Sequence, residues 1–257
     1  MFATERQRRI LEHLRARGFS SVQDLAALVD CSEVTIRRDL LLLDEEGLIE
    51  RRRGGAAFPL SEATPLTRAD VDDSPPSALA DMAAGLVNDG ETIALGAGVT
   101  VARFATRLTG KNDLTVVTNS LLVADALAAS SVDVVMTGGS LRGSTMALVG
   151  SGAERVFAEL KVRRVFLSGD GLTGTWGLSS DDADAAGVER AIAARAEEVV
   201  VLVEGAKLGV DAMSLTVPTE RLGIVVTDDD ADPEVLDRLR AVGVHVHTAT
   251  SRSGAAR

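Results

Sequence analysis

Cysteine and aromatic residues are scarce in this sequence. Its 257 residues include one cysteine, one tryptophan and no tyrosine, and only 3 % of them are aromatic. A single cysteine can form neither an internal disulfide nor a thiolate metal cluster, which excludes disulfide scaffolds and zinc-finger folds. Apolar residues still make up 46 % of the chain, so alanine, valine and leucine must build the core.

Long hydrophobic runs are also missing. No run reaches the roughly 18 apolar residues that a membrane helix needs, so no membrane partner is expected. The N-terminal stretch MFATERQRRILEHL is charged and has a helical pattern, which is unlike a signal peptide. We therefore expect a cytoplasmic protein.

Negative charge is plentiful but unevenly distributed. The net charge is −11, yet residues 1–58 carry ten basic and ten acidic side chains, so the acidic surplus belongs to residues 59–257. An acidic body repels nucleic acid at long range. Any contact with DNA must therefore be made by a local basic surface.

The first 58 residues predict three helices and a β-hairpin. Glu5–Arg17 carries apolar residues at helical spacing, and the Ser21–Asp24 segment resembles a capping box that begins a second helix. Ser32 is a suitable N-cap for a third helix, which Gly47 ends. The segment 48–58 then predicts two short strands around a pair of glycines.

A change of pattern follows this small unit. Residues 59–76 hold four of the six prolines and predict a linker. From Ser77 onward apolar runs alternate with helical segments, which indicates a mostly parallel sheet covered on both faces, within an α/β domain at 77–249. The predicted strands are 92–96, 114–118, 133–138, 162–169, 198–205, 222–228 and 244–249. Helices are predicted between most of them, for example at Ala102–Leu108, Leu121–Ala129 and Val188–Glu198.

The third predicted helix has an apolar face and a basic face. At 100° per residue its apolar face carries isoleucine and leucine, while the opposite side of its first turn is polar and basic. Such an end suits insertion into the major groove of DNA, and the arginines of the following hairpin suit flanking phosphates. The alternative is that Arg37 and Arg38 only pair with Asp39, Asp44 or Glu45 on a solvated helix. The candidate DNA-binding residues are Ser32, Val34, Thr35, Arg37, Arg38, Arg51, Arg52 and Arg53.

This N-terminal unit resembles the winged helix-turn-helix of DeoR-type bacterial transcription regulators. The resemblance covers residues 3–58 without a gap. It is most specific at Ser32-x-x-Thr35-Ile36-Arg37-Arg38-Asp39-Leu40, at Gly47-Leu48 and at Gly54-Gly55-Ala56. The resemblance implies that Ser20–Asp39 is the helix-turn-helix and that the hairpin is the wing. Asp39 is expected to be structural, because a carboxylate facing phosphate would be unfavourable.

The resemblance also implies what the second domain does. It implies a larger α/β domain with a mostly parallel sheet, resembling the ribose phosphate isomerase-like fold, which senses a phosphorylated metabolite. A glycine-containing loop before a helix suits an anion, polar residues after a buried strand suit a ligand, and an arginine or lysine can neutralise phosphate. The candidate effector-binding residues are Gly98, Thr100, Asn119, Ser120, Gly139, Arg142, Asp170 and Lys207.

The chain departs from the family pattern at several of these places. Gly96-Ala97-Gly98-Val99-Thr100 stands where the family usually has Asp-Ser-Gly-Thr-Thr, and Glu204-Gly205-Ala206 stands where it has Asp-Ser-Ser. Ala185-Ala186-Gly187-Val188-Glu189-Arg190 replaces Glu-Ala-Glu-Val-Lys-Arg, so a lysine has become an acid. We therefore expect the pocket to persist, with an effector that differs from the usual phosphosugar or that binds weakly.

The sequence thus predicts a DNA-binding regulator, more often a repressor than an activator, of carbohydrate or related metabolic genes. Its expected partners are a double-stranded DNA operator, a small phosphorylated effector and further copies of the chain in a dimer or tetramer. No catalytic residue, metal or cofactor is expected. One alternative is an isomerase- or deaminase-like enzyme with a DNA-binding appendage, although 185–187 reads Ala-Ala-Gly where a catalytic carboxylate would be expected. Another is a regulator whose sensor only oligomerises. A third is dinucleotide binding at Gly96-x-Gly98, which lacks the acid expected about 20 residues later.

Overall fold

The chain divides into two compact units, Met1–Pro65 and Leu66–Arg257. The structure, a computed structural model, describes residues 3–17, 19–45, 48–52, 54–57, 66–72 and 77–250. The predicted linker, 59–76, lies partly outside these residues. Its described portion contains a short helix that packs against helices of the second unit, so the compact part of that unit extends back to Leu66.

The N-terminal unit contains three helices and a small antiparallel sheet. In chain order its elements are α1 (Ala3–Arg17), β1 (Phe19–Ser21), α2 (Val22–Val29), α3 (Glu33–Glu45), β2 (Glu50–Arg52) and β3 (Gly55–Ala57). The predicted hairpin is β2 and β3, and β1 adds a third strand to the sheet, in the order β1-β3-β2. The N-terminal helix-turn-helix and its wing are therefore confirmed.

Side-chain caps set the starts of the second and third helices, as the sequence predicts. The Ser21 hydroxyl accepts a hydrogen bond from the amide of Asp24 at 3.1 Å and donates to its carboxylate at 2.6 Å. At α3, the Ser32 hydroxyl accepts from the amide of Thr35 at 3.3 Å. Between the two helices, Asp30 ends α2 in the left-handed conformation, with φ of 50°. These local bonds fix the tight turn between α2 and α3.

An aliphatic core holds the three helices together. Its fully buried members include Ile10, Leu14, Leu25 and Ile36, which come from all three helices. Complete burial of such a side chain stabilises the fold by roughly 1.5–3 kcal/mol. The apolar face predicted for the third helix therefore points into this core, and its opposite face remains in solvent.

One buried ion pair crosses this unit. Arg6 on α1 binds Asp39 on α3 with both nitrogens of its fork: Nε lies 2.5 Å from Oδ2, and Nη2 lies 3.0 Å from Oδ1. Only 14 % of the Arg6 side chain and 5 % of the Asp39 side chain are exposed. The hydrogen bond to Asp39 raises the pKa of Arg6. Asp39 is thus structural, as the sequence predicts.

The second unit is built on seven parallel strands. They are β4 (Thr92–Leu95), β5 (Thr115–Thr118), β6 (Asp133–Met136), β9 (Val162–Leu167), β12 (Ala196–Leu202), β14 (Ile224–Asp228) and β15 (His245–Ala249). Their order across the sheet is β15-β14-β12-β9-β4-β5-β6. Each of the seven predicted strands overlaps one of them, and aliphatic clusters cover both faces. The predicted α/β class with a mostly parallel sheet is confirmed.

Helices and short antiparallel strands surround this sheet. The helices are α4 (Arg68–Asp72), α5 (Ala78–Ala84), α6 (Val99–Thr106), α7 (Leu121–Leu127), α8 (Ser151–Ala158), α9 (Ala183–Arg195) and α10 (Pro233–Ala241). The short strands are β7 (Ser140–Arg142), β8 (Ala147–Val149), β10 (Gly171–Thr173), β11 (Gly177–Ser180) and β13 (Ser214–Pro218), which the sequence analysis does not predict.

The predicted helices differ from the observed ones by a few residues at their ends, and one of them differs most. The prediction Val188–Glu198 starts too late and ends too late, because α9 begins after Asp182 and ends at Arg195. Asp182 caps the helix by accepting the amides of Asp184 and Ala185. At the other end Ala196 is already extended, with φ of −80° and ψ of 142°, and it starts β12 directly. No glycine or proline marks this boundary.

We predict that the Arg6–Asp39 pair stabilises the N-terminal unit far more than the exposed pair on α3. Asp39→Ala leaves a largely buried guanidinium without its partner and is expected to lower the free energy of unfolding by about 2–3 kcal/mol. Arg37→Ala, the matched control, breaks an exposed pair and is expected to cost less than about 0.5 kcal/mol. Hydrogen exchange of the α2 and α3 amides in the full chain measures both, and equal effects would contradict the assignment.

Candidate DNA-binding face and effector site

The exposed side of α3 carries the predicted DNA contacts. Val34 is 74 % exposed, an unusual value for a large apolar side chain, and Arg38 is also exposed. The hydroxyls of Ser32 and Thr35 lie 2.9 Å apart at the start of the helix. An apolar side chain, an arginine and two hydroxyls are thus presented together on one turn.

Arg37 is held loosely beside them. Its Nη2 donates to the Glu33 carboxylate at 2.7 Å, and 60 % of the arginine side chain is exposed. An exposed pair of this spacing contributes only about 0.3–0.5 kcal/mol, so a phosphate can displace it. Of the other acids named as possible partners, Asp39 binds Arg6 and Asp44 accepts the Arg51 amide at 3.2 Å, while the side chain of Glu45 lies outside the described part of the chain.

The wing places a further basic residue near this helix. Arg51 is exposed on β2, and Gly54 forms the hairpin turn with φ of 86°, which favours glycine. The amide of Val22 donates to the Gly54 carbonyl at 2.9 Å and so ties the turn to the start of α2. Arg52 also belongs to β2, and Arg53 lies outside the described residues.

A shallow cleft connects the wing with the two helices. Its volume is about 330 Å³, and its lining includes Ser21, Gln23, Glu33, Arg37 and Arg51. Two guanidinium groups from different elements therefore border one concave surface. An anionic chain that lies in this cleft can contact both of them.

The second unit collects candidate effector residues at one edge of its sheet. Gly98 follows β4, Asn119 and Ser120 follow β5, Asp170 follows β9, and Lys207 follows β12. These four strands are parallel and adjacent, so their carboxyl ends meet at the same edge. Ligands of open α/β sheets bind at this edge.

The loops after β9 and β12 are joined by Lys207. Its Nζ donates to the Gly169 carbonyl at 3.1 Å. The neighbouring Asp170 carboxylate accepts from the Ser180 hydroxyl at 3.1 Å and from the Asp181 amide at 2.9 Å. Asp170 therefore shapes the connection between β11 and α9, and its carboxylate holds this loop in place.

Arg142 is engaged with two carboxylates. Its Nε lies 3.1 Å from the Asp182 carboxylate, and its Nη2 donates to Asp184 at 2.6 Å. These bonds tie the β7–β8 hairpin to the start of α9. The positive charge is thus partly neutralised, and an anionic effector would have to compete with both acids for Arg142.

Asn119 and Ser120 differ in their remaining bonding capacity. The Ser120 hydroxyl caps α7 by accepting the Val123 amide at 3.3 Å. The Asn119 side-chain amide donates to the Leu148 carbonyl at 3.0 Å, whereas its buried Oδ1 has no hydrogen bond within the part of the chain that the structure describes. Asn119 therefore has an acceptor that no described residue uses, whereas the Ser120 hydroxyl stabilises the start of α7.

The glycines and Thr100 fall into two groups. Gly98 is the N-cap of α6 with φ of 113°, and Thr100 lies half-buried in the first turn of that helix. Gly139 has φ of 132°, and a Cβ there would come within 2.7 Å of the Val149 carbonyl oxygen. Close packing against β8 therefore explains Gly139, and the anion-suited loop is the one at Gly98.

Glu189 is the residue that the candidate sites omit. It lies on α9 and is buried to about nine tenths, and its Oε2 makes no hydrogen bond to any described residue. Burial raises the pKa of Glu189 well above its usual range, and the negative charge of Asp170 adds to the rise. The replacement of the family's lysine by Glu189 is the sequence signal that could have found it.

Family models cover both units of the chain. A model described as the DeoR-like helix-turn-helix domain matches residues 6–62, and one described as the DeoR C terminal sensor domain matches residues 77–229. The chain belongs to the DeoR family. The resemblance stated from the sequence is thereby confirmed.

Curated relatives match this DeoR-family chain over nearly its full length. A putative aga operon transcriptional repressor from Escherichia coli O157:H7 is 31 % identical and covers 95 % of this chain and 93 % of its own. The HTH-type transcriptional regulator GlpR from Haloferax volcanii is 31 % identical, with coverage of 98 % and 100 %. These relatives are named as transcriptional regulators, which speaks against the enzyme alternative. The chain is a DNA-binding transcriptional regulator.

A solved structure resembles part of the chain. Ribose 5-phosphate isomerase A from Neisseria gonorrhoeae superimposes with a TM-score of 0.40 and 18 % identity, over 57 % of this chain and 56 % of the isomerase.

Within the described residues no cluster of histidine, cysteine and acidic side chains could hold a metal ion. The described helices also include none that is long and apolar enough to cross a membrane.

We predict that Glu189 makes stability depend on pH. Its pKa is raised in the folded chain, so the folded state holds the proton more tightly than the unfolded state. The resulting stabilisation is complete below the ordinary value of 4.5 and is lost as the pH rises through the raised pKa. Glu189→Gln removes this titration, so its melting temperature should exceed that of the wild type by a margin that widens with pH.

Calorimetry of the full chain across this pH range measures the margin. Glu159→Gln, at an exposed position after α8, is the matched control and should follow the wild type at every pH. A margin for Glu189→Gln that does not change with pH would show that Glu189 titrates normally.

Proposed function

We propose that this protein is a repressor of carbohydrate or related metabolic genes, and that a small phosphorylated metabolite bound in its second unit controls its hold on an operator. The observation that carries the DNA-binding part is the exposed turn of α3, where a 74 % exposed Val34 stands beside Arg38. A DNA groove accommodates an exposed apolar side chain beside an arginine, because thymine methyl groups lie there next to hydrogen-bonding base edges.

The proposed roles at the DNA follow from side-chain chemistry. Arg38 can bind the O6 and N7 atoms of a guanine with both donors of its fork, and Val34 can contact a thymine methyl group. Ser32, Thr35 and Arg37 surround them and suit phosphate oxygens. Arg51, with Arg52 on the same strand and Arg53 next in the sequence, completes the proposed contacts to the flanking backbone.

The acidic surplus of the chain makes this contact local. The N-terminal 58 residues are neutral overall, so attraction to DNA depends on the placement of arginines rather than on net charge. A single small winged unit reads too few base pairs for a genome, so we propose that a dimer or tetramer binds two half-sites.

The effector part of the proposal is supported by the polar edge of the parallel sheet. Lys207 and Arg142 are the cations for a phosphate, and the loop at Gly98 and Thr100 offers backbone amides at the start of α6. Asn119 has a buried oxygen that accepts no hydrogen bond from any described residue. A phosphorylated sugar, or a relative of one, has the anionic group and the hydroxyls that such a site requires.

We predict that Arg38→Ala weakens binding to a cognate operator by about 1–3 kcal/mol and relaxes the preference at one base pair, as expected for a base-reading arginine. The operator is first selected from random duplexes by the purified protein, and gel-shift titrations then compare the variants. Arg155→Ala, at an exposed position on α8 in the second unit, is the control and should bind as the wild type does. Unchanged operator binding by Arg38→Ala would refute the assignment.

A different signature is predicted for Arg51. Since it faces phosphate rather than a base, Arg51→Ala should weaken specific and nonspecific duplexes alike. The slope of log affinity against log salt concentration should become shallower by about 0.9, the loss of one phosphate contact. A titration series between low and moderate salt measures this slope. A change of base preference in Arg51→Ala would instead assign Arg51 to the bases.

A further inference from the structure

Glu189 is buried and incompletely bonded. About nine tenths of the residue is removed from solvent, and its Oε2 makes no hydrogen bond within the described part of the chain. A buried carboxylate without full hydrogen bonding destabilises a fold, so native proteins rarely retain one without a use for it. Glu189 belongs to α9, which packs against β11 and β13, and it lies close enough to Asp170 for the two charges to interact.

The surroundings of Glu189 are acidic. Asp170, after β9, and Asp182, at the start of α9, both act on it with like charge. A hydrogen bond with Thr216 on β13 works against the rise in the pKa of Glu189 without cancelling it, and the Thr216 hydroxyl also donates to the Leu178 carbonyl at 2.9 Å. A phosphate placed beside Glu189 would therefore meet three carboxyl groups.

The nearby cations make their described hydrogen bonds to groups other than Glu189. Arg190 partly offsets the charge of Glu189, but its guanidinium donates to the Leu215 carbonyl at 2.6 Å. Arg142 is paired with Asp182 and Asp184, and Lys207 donates to Gly169. Among the described residues no donor bonds Oε2 of Glu189, so a group from outside the chain that carries a hydrogen-bond donor can complete its bonding.

We propose that Glu189 is a specificity-determining residue of the effector site. Its free carboxyl oxygen accepts a hydrogen bond from a hydroxyl or ammonium group of the effector, and its acidic surroundings turn phosphate away from this end of the site. The effector class is a phosphorylated polyol or sugar that presents such a donor at a distance from its phosphate. This inference rests on the proposed control of the protein by a small molecule.

The same chemistry predicts which ligands the effector site rejects. A site built around a buried acceptor discriminates strongly against ligands that lack the matching donor, because the acceptor then stays unbonded. Inorganic phosphate carries the anion but has no separate polyol, so its binding should not depend on Glu189. A single change at Glu189 can thus separate recognition of the donor from recognition of the phosphate.

The test uses the full chain bound to its selected operator. The probes are inorganic phosphate, glycerol 3-phosphate, and pentose and hexose phosphates with their 2-amino counterparts. Release from the operator and the shift in melting temperature are measured for each probe. The variants are Glu189→Leu, which removes the acceptor, and Glu189→Gln, which keeps an acceptor without the charge. Glu159→Gln is the control.

We expect at least one polyol or sugar phosphate to release the wild type. The affinity of Glu189→Leu for that probe should be at least tenfold lower than that of the wild type. Its affinity for inorganic phosphate should be unchanged or higher. In Glu189→Gln, the affinity for an active amino probe should fall about tenfold, and the affinity for a hydroxyl probe should fall less than threefold. If Glu189→Leu does not fold, the comparison between amino and hydroxyl probes in Glu189→Gln decides alone.

Two results would overturn the inference. One is that the Glu189 variants respond to every active probe as the wild type does, which would leave an ordered water as the partner of Glu189. The other is that no probe acts on a wild type that still binds its operator. Failure of the wild type to select any operator is a separate result, because it contradicts the proposed function and not the role of Glu189.

Discussion

A buried charge needs a partner, and this constraint separates the structural charges of the protein from the candidate functional one. Asp39 satisfies it through the two-pronged bond to Arg6. Glu91 satisfies it in the second unit: burial alone would raise its pKa, but hydrogen bonds from Asn88 and the charges of Arg164 and Arg163 outweigh burial, and the pKa is lowered. Among the described residues only a hydrogen bond with Thr216 and the charge of Arg190 offset the burial of Glu189, and its pKa is raised.

The same constraint explains which arginines are available to DNA. Arg6 is held by a buried, two-pronged bond to Asp39, and breaking it would leave both charges largely buried without a partner. Arg37, by contrast, holds Glu33 in water, where the attraction is weak and is readily exchanged for a phosphate. A helix of one amphipathic pattern thus provides both a fixed acid on its inner side, Asp39, and a releasable arginine on its outer side.

The architecture could largely be predicted from the sequence because parallel strands are buried on both faces. Such strands read as continuous apolar runs, and they are readily assigned as strands in the segments TIALG and EVVVLVEG. The short strands β10 and β11 are three and four residues long and rich in glycine, serine and threonine, so no periodicity reveals them. The junction of α9 and β12 also lacks a signal, because the chain passes from Arg195 to Ala196 without a breaker.

The candidate site was predictable in its location but not in its details. Polar residues after buried strands must reach the same edge of the sheet, which places Asn119, Asp170 and Lys207 together. The sequence does not show that Asp170 and Arg142 already serve loop and helix contacts, because their partners lie ten and about forty residues away. The burial of Glu189 likewise depends on the tertiary packing of α9 against β13, which the local sequence does not show.

The fold of the second unit does not need the acid at Glu189. If the second unit only joined copies of the chain, an aliphatic residue at position 189 would pack against β11 and β13 without any buried charge. A carboxyl group at this place, among other acids, is unfavourable in the free protein and becomes favourable only when a donor arrives. A binding event that relieves such a cost gains affinity from the change in the site itself.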